Sequence, residues 1–530
     1  MRVRKSNALV LLVALSLGSS SDGAKVAPPQ PPTGLQDVVQ TRQGTVSGYE
    51  DASGLHVYKG IPFAAPPVGD LRWRAPEPAK PWKGVRQAVE FGPDCMQRPD
   101  PRLRAKTMSE DCLYLNVWSP AERTDEKLPV MVFLYGGAFD HGSGSRVDFD
   151  GKDLARRGVV FVNFNYRLAL FGFLAHPLLT AESPHHSSGD YAILDQIAAL
   201  RWIQDNIAAF GGDPSHVMIF GQSAGGSSVN LMLISPLAKG LFQAAASESP
   251  GEMRALGTVS DAEKFGVTLG NNLAAMRAIP ALELVDKEAD FKRMRSPEAT
   301  SPRPLWPVID GWALPRSERD AYASGHVNIV PLIIGNNAAE SGDGSHSAPM
   351  TVEQYRSHVE AMYGKSAPEI LRIFPVHADG DAPAVLASLS AANEFGFAVR
   401  ADAVDMSSIN PSTYRYLFTR HRNDGPAPPV HADELTYVFG NLYIKPRSAP
   451  AAYDAVDQKL SDTMMSYWIQ LARTGNPNTH GLPSWPAFNA SSNLVLDLGK
   501  DIHAKPDEHE AQFDGIRKAY ETNPVTQPQT

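Results

Sequence analysis

The chain has 530 residues, 43% of them hydrophobic and 20% charged, which is enough for a large core and for about one to three domains. The formal net charge of -9 argues against general nucleic-acid binding, and the sequence has no basic stripe, zinc-finger spacing or phosphate-binding loop. We therefore expect the partner to be a small molecule rather than a nucleic acid.

The N-terminus has the layout of a secretory signal peptide. Basic residues among the first five positions precede an apolar run over residues 8–17, and small residues follow. The run is too short to span a bilayer, and no cysteine follows it to carry a lipid anchor. We predict a signal peptide over residues 1–24, a proline-rich spacer over 25–34 and no membrane anchor, so the protein would be exported to the periplasm or secreted.

Apolar, β-rich runs alternate with helical segments along the rest of the chain. In the helical segment 190–210, isoleucine and leucine recur at helical spacing on one face. Such alternation implies a mostly parallel sheet with helices on both faces. We predict one α/β domain over residues 35–522, with long insertions such as 281–304, and a tail at 523–530. The predicted buried strands are Val130–Leu134, Val159–Asn165, Val217–Phe220, Phe242–Ala246, Val330–Ile334 and Tyr414–Phe418.

The most informative motif is Gly-x-Ser-x-Gly around Ser223, which joins a predicted strand to a helical stretch. At a strand–turn–helix junction this motif is the nucleophile elbow of α/β-hydrolases. The turn is sharp, so Gly221 and Gly225 stand where only very small residues fit. The geometry exposes the Ser223 hydroxyl and directs the Ala224 N–H at a developing oxyanion. Because the motif is weak alone, the remaining catalytic groups must be found elsewhere.

A serine nucleophile needs an orienting acid and a base, which α/β-hydrolases place later in the chain in that order. Glu340 lies on the loop that leaves the strand ending at Ile334, and His431 lies on a late loop after another strand. Asp343 and Glu434 are rival acids. These positions favour Glu340 as the acid and His431 as the base, while a solvated loop carboxylate is the alternative for Glu340.

The oxyanion hole needs further N–H groups close to the nucleophile. Gly137 and Ala138 follow the strand that ends at Leu134, in a run of small residues that lets backbone amides approach a substrate carbonyl. An ordinary glycine turn is the alternative, but the position directly after a strand favours the functional interpretation.

With these motifs the chain resembles the type-B carboxylesterase family, which includes bacterial carboxylesterases, cholinesterases and neuroligins. The resemblance covers about residues 35–520. The segments similar to family blocks are Glu110–Val117, Asn165–Arg167, Phe171–Leu174, Asp205–Pro214, Gly221–Gly226 and Pro307–Gly311.

The resemblance implies an α/β-hydrolase fold, with a mostly parallel central sheet flanked by helices and with insertions that form a gorge. It implies Ser223 as nucleophile, Glu340 as triad acid and His431 as base. Around this triad it implies the oxyanion donors Gly137, Ala138 and Ala224 and the neighbours Gln222 and Ser249. Gln222 stands where the family usually has glutamate, and Ala138 stands where a third glycine is common.

The chain has two cysteines, Cys95 and Cys112. In an exported protein a close pair is more often bridged than free, with two buried thiols as the alternative. By resemblance the pair closes a loop at the gorge rim. Two cysteines without a histidine cluster cannot form a zinc site, and the implied mechanism needs no metal or cofactor.

Charge on the rim loop bears on the substrate. The loop carries several cations and one acid, Asp100, but no aromatic residue between positions 98 and 106. Cholinesterases hold a cation with a tryptophan in this loop and an acid beside the nucleophile, so neutral Gln222 and the missing tryptophan both remove the attraction for a cation. The residues predicted to steer an anionic ester are Arg98, Arg102, Arg104 and, after the oxyanion loop, Arg146; the alternative is that they face solvent.

We therefore predict a serine carboxylesterase that works through an acyl-enzyme and prefers a neutral or anionic ester. Within the family, one subgroup fits the charge pattern: the fumonisin esterases, which remove tricarballylate esters from a long amino-polyol. A non-catalytic binding protein of the neuroligin type is the first alternative, although such proteins have lost triad members. A lipase is the second, although the sequence shows no large apolar lid. The oligomeric state stays open.

Overall fold

The computed structural model describes residues 37–251, 256–294, 304–345, 347–444 and 453–522, and its centre is an eleven-stranded sheet. The described residues belong to one compact unit. The predicted signal peptide, spacer and tail lie outside the described residues, as does part of the insertion 281–304, so these boundaries stay predictions.

The sheet is parallel in the middle and antiparallel at both edges. Its spatial order is β11-β10-β9-β8-β7-β6-β4-β5-β3-β2-β1. Every neighbouring pair from β5 across to β10 is parallel, and the remaining pairs are antiparallel. This confirms the predicted mostly parallel sheet. The strands are β1 (Tyr49–Glu50), β2 (His56–Pro62), β3 (Tyr114–Ser119), β4 (Leu128–Leu134), β5 (Val160–Phe164), β6 (Gly212–Gln222), β7 (Ala244–Glu248), β8 (Leu332–Asn337), β9 (Thr413–Phe418), β10 (Leu494–Leu498) and β11 (His503–Pro506).

All six predicted strands are present with ends that differ from the prediction, and two of them extend three or more residues beyond a predicted end. β6 begins at Gly212, well before the predicted start at Val217, because its pairing with β4 continues across an irregularity in register. β8 runs past its apolar part through Asn336 and Asn337, because both asparagines pair in parallel register with β9. Polar residues at a strand end gave no strand signal in the sequence, so long-range pairing determines these bounds.

Helices cover the sheet and form most of the insertions. The predicted helix 190–210 is α-helical as far as Asn206, continues as a 3-10 turn and ends at Gly211, whose φ of 79° suits a left-handed cap. The described helices of eight or more residues are α1 (Tyr191–Asn206), α2 (Ala224–Ile234), α3 (Val259–Gly266), α4 (Ala281–Arg293), α5 (Val352–Tyr363), α6 (Ala382–Ala391), α7 (Phe397–Ile409), α8 (Ala455–Thr474) and α9 (Glu510–Thr522). The shorter ones are Lys152–Ala155, Ala169–Phe173, Pro177–Glu182, Leu273–Arg277, Glu318–Ala323, Ala367–Ile373 and Leu435–Val438.

A π-helical turn, Ala392–Gly396, joins α6 to α7. The continuous helical stretch 379–409 has the length and composition of a membrane span, with a mean hydropathy of 1.2 in its most apolar window, but half of that window is buried inside the fold. A core helix of a globular protein has the same properties. Single π-turns within helices often mark functional sites, and this one carries Phe395 to the candidate active site.

The central strands are buried on both faces. All five residues of β5 and the last five of β4 are buried, and Phe133 packs against Phe220 and Phe439 at ring-centroid distances of 5.0 and 4.9 Å. Strands covered on both faces read as continuous apolar runs, which explains why the sequence identified them. The rigid parallel core places the carboxyl ends of β4, β6, β7, β8 and β9 along one edge, where the functional loops begin.

Candidate active site

Ser223 occupies a strained turn between β6 and α2, with φ 59° and ψ -128°. Its N–H donates to the Glu248 carbonyl over 2.9 Å. A Cβ atom at Gly221 would lie 2.5 Å from the Gly225 carbonyl oxygen, and one at Gly225 would lie 2.0 Å from the Leu134 carbonyl oxygen. Both positions therefore require glycine, and the turn lifts Ser223 out of the sheet into a cavity.

Glu340 and His431 form a hydrogen-bonded pair in this cavity. Glu340 follows β8, and its Oε2 lies 2.7 Å from His431 Nδ1. The other carboxylate oxygen accepts from Ser249 Oγ over 2.6 Å and from the Asn337 N–H over 2.7 Å. The Glu340 side chain is 1% exposed, and these donors hold its carboxylate in a fixed orientation. The pair leaves the proton on Nδ1 and the Nε2 lone pair available as a base.

The two rival acids make other contacts. Glu434 is fully buried, and one of its oxygens accepts from the Asn337 side chain rather than from His431. Burial, followed by the nearby charge of Glu340, raises the pKa of Glu434 to about 8. Asp343 lines a different cavity at the protein surface. The geometry therefore joins Glu340, and neither rival, to the histidine.

Two side chains pack against the imidazole of His431. The Phe395 ring lies 4.5 Å from it, centroid to centroid. The Gln222 Nε2 atom lies 3.2 Å from His431 Nε2 and 3.5 Å from Nδ1. Because these two distances are nearly equal, the amide nitrogen lies over the ring rather than in its plane. Gln222 and Phe395 thus restrain the tilt of the His431 ring, while Glu340 holds the ring through Nδ1.

No hydrogen bond joins Ser223 to His431 among the described residues, although both line the same cavity. Catalytic hydrogen bonds are often loose before substrate binds and tighten in the complex.

The pKa of His431 is raised. Burial disfavours the imidazolium, but the hydrogen bond and charge of Glu340, with the charges of Glu434 and Glu394, outweigh that effect. A base whose pKa lies near the working pH is effective in general acid–base catalysis.

The oxyanion loop presents unpaired backbone donors. Gly137 has φ 123° and Ala138 has φ 50°, both in the left-handed region. A Cβ atom at Gly137 would lie 2.1 Å from the His141 carbonyl oxygen, so this position needs glycine. The N–H groups of Gly137 and Ala138 have no acceptor in the described part of the chain, and both residues line the cavity. With Ala224 at the first position of α2, they are the candidate donors to an oxyanion.

The cavity at Ser223 has a volume of about 310 Å³ and contains two arginines, Arg146 and Arg422. Arg146 Nε bonds Asp148 over 2.7 Å. Sequence reasoning missed Arg422, since no motif surrounds it, and missed Phe395, since a π-turn leaves no distinct pattern. The predicted site residues that line the cavity are Gly137, Ala138, Arg146, Gln222, Ser223 and His431.

The other predicted steering arginines lie outside the cavity lining. Arg102 is paired with Asp100, and this hydrogen bond lowers the pKa of Asp100 to about 2. Arg104 bonds Asp150 and the Ser145 carbonyl, each over 2.7 Å. Both therefore tie the rim loop to the segment after the oxyanion loop, and their charges are balanced locally. The last member, Arg98, is exposed.

The predicted bridge between Cys95 and Cys112 is present, with Cα atoms 5.0 Å apart. It closes the loop that carries these arginines. No group of histidine, cysteine and acidic side chains within the described ranges is arranged to hold a metal ion.

Comparison with known proteins agrees with the fold and the site. The sequence model of the carboxylesterase family matches residues 35–371 and 381–514. The chain is 40% identical over 465 residues to the fumonisin B1 esterase of Sphingopyxis macrogoltabida, covering 86% of each chain. It is 36% identical to the para-nitrobenzyl esterase of Bacillus subtilis (strain 168), covering 90% of this chain and 98% of that protein.

A solved PNB esterase structure has a TM-score of 0.78 and 34% identity, and covers 93% of this chain and 100% of that one. Relatives of this kind do not favour a non-catalytic binding protein or a lipase. The chain therefore belongs to the carboxylesterase family: it has the α/β-hydrolase fold and is a serine carboxylesterase.

Proposed function

We propose that this esterase uses Ser223, Glu340 and His431 as its catalytic triad and that its preferred substrates are esters of polycarboxylic acids. The observation that supports the substrate class is the pair of guanidinium groups, Arg146 and Arg422, in the cavity of the nucleophile.

The chemistry follows from the Glu340–His431 hydrogen bond and from the cavity that Ser223 and His431 share. His431 Nε2 removes the Ser223 proton as Oγ attacks the ester carbonyl, and Glu340 stabilises the imidazolium through Nδ1. The tetrahedral intermediate collapses, the carbon–oxygen bond to the alcohol breaks, and His431 returns the proton to the departing alcohol. Water then attacks the acyl-enzyme carbonyl with His431 again as base, the bond between the acyl carbon and Ser223 Oγ breaks, His431 returns the proton to Ser223, and the carboxylic acid leaves. The Gly137, Ala138 and Ala224 N–H groups and the N-terminus of α2 stabilise the oxyanion.

Charge in the cavity argues for an anionic substrate. Gln222 beside the nucleophile is neutral and adds no carboxylate that would repel an anionic acyl group. Asp148 and Asp433 also line the cavity and pair with Arg146 and Arg422, so the attraction for an anion comes from the guanidinium donors that these single bonds leave unused. The fumonisin B1 esterase is a relative with 40% identity. A tricarballylate ester of a fumonisin-type amino-polyol is therefore the candidate natural substrate.

The arginines of the rim loop would act on the substrate separately from those of the cavity. Arg98, Arg102 and Arg104 would raise the association rate of anionic esters, and this effect would fade as salt rises. Because Arg102 and Arg104 are paired with carboxylates, we expect replacement of both by Gln to reduce kcat/KM only a few-fold for an anionic ester. Equal loss on a neutral ester would instead indicate a structural role.

The substrate class is tested with two esters of the same size. We would compare the nitrophenyl hemiester of succinate, which carries a free carboxylate, with the nitrophenyl ester of methyl succinate, which is neutral. The proposal predicts a higher kcat/KM for the hemiester. A neutral ester that is the better substrate at all salt concentrations would contradict it.

We also propose that the protein acts outside the cytoplasm. The N-terminal layout and the Cys95–Cys112 disulfide support export, because disulfides persist in oxidising compartments. N-terminal sequencing of the mature protein from the native host, after cell fractionation, tests this. An intact N-terminus on cytoplasmic protein would refute it.

A further inference from the structure

Arg422 is a buried guanidinium with few partners. Its side chain is 10% exposed, and its one hydrogen-bond acceptor among the described residues is Asp433 Oδ1, at 3.3 Å. The Nε atom is buried and has no acceptor in the same part of the chain. A guanidinium carries five N–H donors, so most of its hydrogen-bonding capacity is unused. A buried charge in this condition is destabilised until an anion supplies the acceptors.

Neighbouring arginines show that the fold satisfies such groups elsewhere. Arg420, two residues earlier, bonds Asp457 over 2.6 Å and Asp454 over 2.9 Å and is also paired with Asp424. Arg146, in the same cavity, has a 2.7 Å bond to Asp148. Each of the two cavity arginines thus has one carboxylate acceptor among the described residues, but the bond of Arg422 is longer, at 3.3 Å, and its buried Nε has none, so Arg422 has the weaker pairing.

The position of Arg422 is fixed in advance. Its guanidinium lies over the Tyr453 ring, 5.0 Å from the centroid, which holds one face. The turn that carries it is anchored by the Asn423 N–H, which donates to Asp457. Asp433 links Arg422 to the histidine loop, because its second oxygen accepts from the Val430 N–H next to His431. A guanidinium that is held in place before the ligand arrives favours specific binding.

We infer that Arg422 binds a free carboxylate on the acyl group of the substrate, by two parallel N–H···O bonds. The planar fork of arginine matches a carboxylate in this way, and such charge-assisted pairs are stronger than neutral ones. This inference rests on the proposed preference for polycarboxylate esters and assigns that preference to one side chain. Arg146 then attracts the anionic substrate through its electrostatic field and does not contact the bound carboxylate directly.

The test measures kcat/KM for the hemiester and the neutral ester in three variants. Arg422→Gln removes the charge and the fork, Arg422→Lys keeps the charge alone, and Arg372→Gln removes an exposed arginine paired with Glu369. The ratio of hemiester to neutral ester should fall about 10- to 100-fold in Arg422→Gln. It should fall by less in Arg422→Lys and stay at the wild-type value in Arg372→Gln.

A second readout uses free tricarballylate as a competitive inhibitor of neutral-ester hydrolysis. Its inhibition constant should rise about 10- to 100-fold in Arg422→Gln, together with loss of the thermal stabilisation that tricarballylate confers on the wild type. If the wild type prefers the hemiester and Arg422→Gln keeps that preference, the role of Arg422 is refuted while the proposed function stands. If the wild type itself shows no preference and no inhibition, the proposed function fails.

Discussion

Replacement of Glu434 by Gln should remove one defined part of the pH dependence of this protein's stability. Glu434 is fully buried behind the triad; one oxygen accepts from the Asn337 side chain and the other has no partner in the described chain. Burial, and then the charge of Glu340, raises the pKa of Glu434 to about 8. Glutamine has nearly the same shape and still offers an oxygen to Asn337, so the substitution removes the titration with little change in packing.

The magnitude follows from proton linkage. An unfolded chain has a glutamate pKa of about 4.3, so the folded protein holds a proton that the unfolded chain releases through the interval up to about pH 8. Because the pKa of Glu434 is raised in the folded state, the contribution of this group to stability is fully present at low pH and is lost as the pH rises. Between pH 5 and pH 8 the free energy of unfolding should fall by roughly 3 kcal/mol through this group alone.

The assay is urea unfolding at several pH values between these limits, followed by tryptophan fluorescence. The free energy of unfolding should decline less with pH in Glu434→Gln than in the wild type. The variant should therefore become more stable relative to the wild type as the pH rises. Glu283→Gln is the control, because Glu283 is half exposed and paired with Lys287 on the surface. Parallel curves for Glu434→Gln and the wild type would refute the reasoning.

Three further outcomes test the site and its support. Ser223→Ala should lower kcat by about 10⁴-fold or more without unfolding the protein, and a variant that kept a tenth of the activity would remove Ser223 from the mechanism. The acid limb of kcat/KM should lie above about pH 6.5, because the base must be neutral and the pKa of His431 is raised; Glu340→Gln should move that limb to lower pH as well as lower the rate, and an unmoved limb would assign the titration to another group. Reduction of the Cys95–Cys112 bond should destabilise the protein by about 3 kcal/mol, measured by unfolding with and without reductant, whereas an unchanged midpoint would mean that the rim loop is held by its ion pairs.

The sequence alone determined the elbow, the strands and the order of the triad along the chain. These features depend on local rules: glycines at Gly221 and Gly225 are needed for a sharp turn, and strands buried on both faces read as apolar runs. Glu340 and His431 could be proposed because each follows a strand and parallel strands end at one edge of a sheet. The cysteine bridge was predicted on other grounds, from the expected export of the protein and from its resemblance to the family.

Only the tertiary structure decided which charges line the cavity of Ser223. Arg104 looked like a free cation in the rim loop, but Asp150, 46 positions away, neutralises it. Arg422 had no motif, yet it lines the cavity of Ser223 with donors unused. Phe395 reaches His431 through a π-turn inside a long helical stretch. Each of these depends on contacts between distant parts of the chain, and on burial that changes the energy of a charge, which no local pattern of residues encodes.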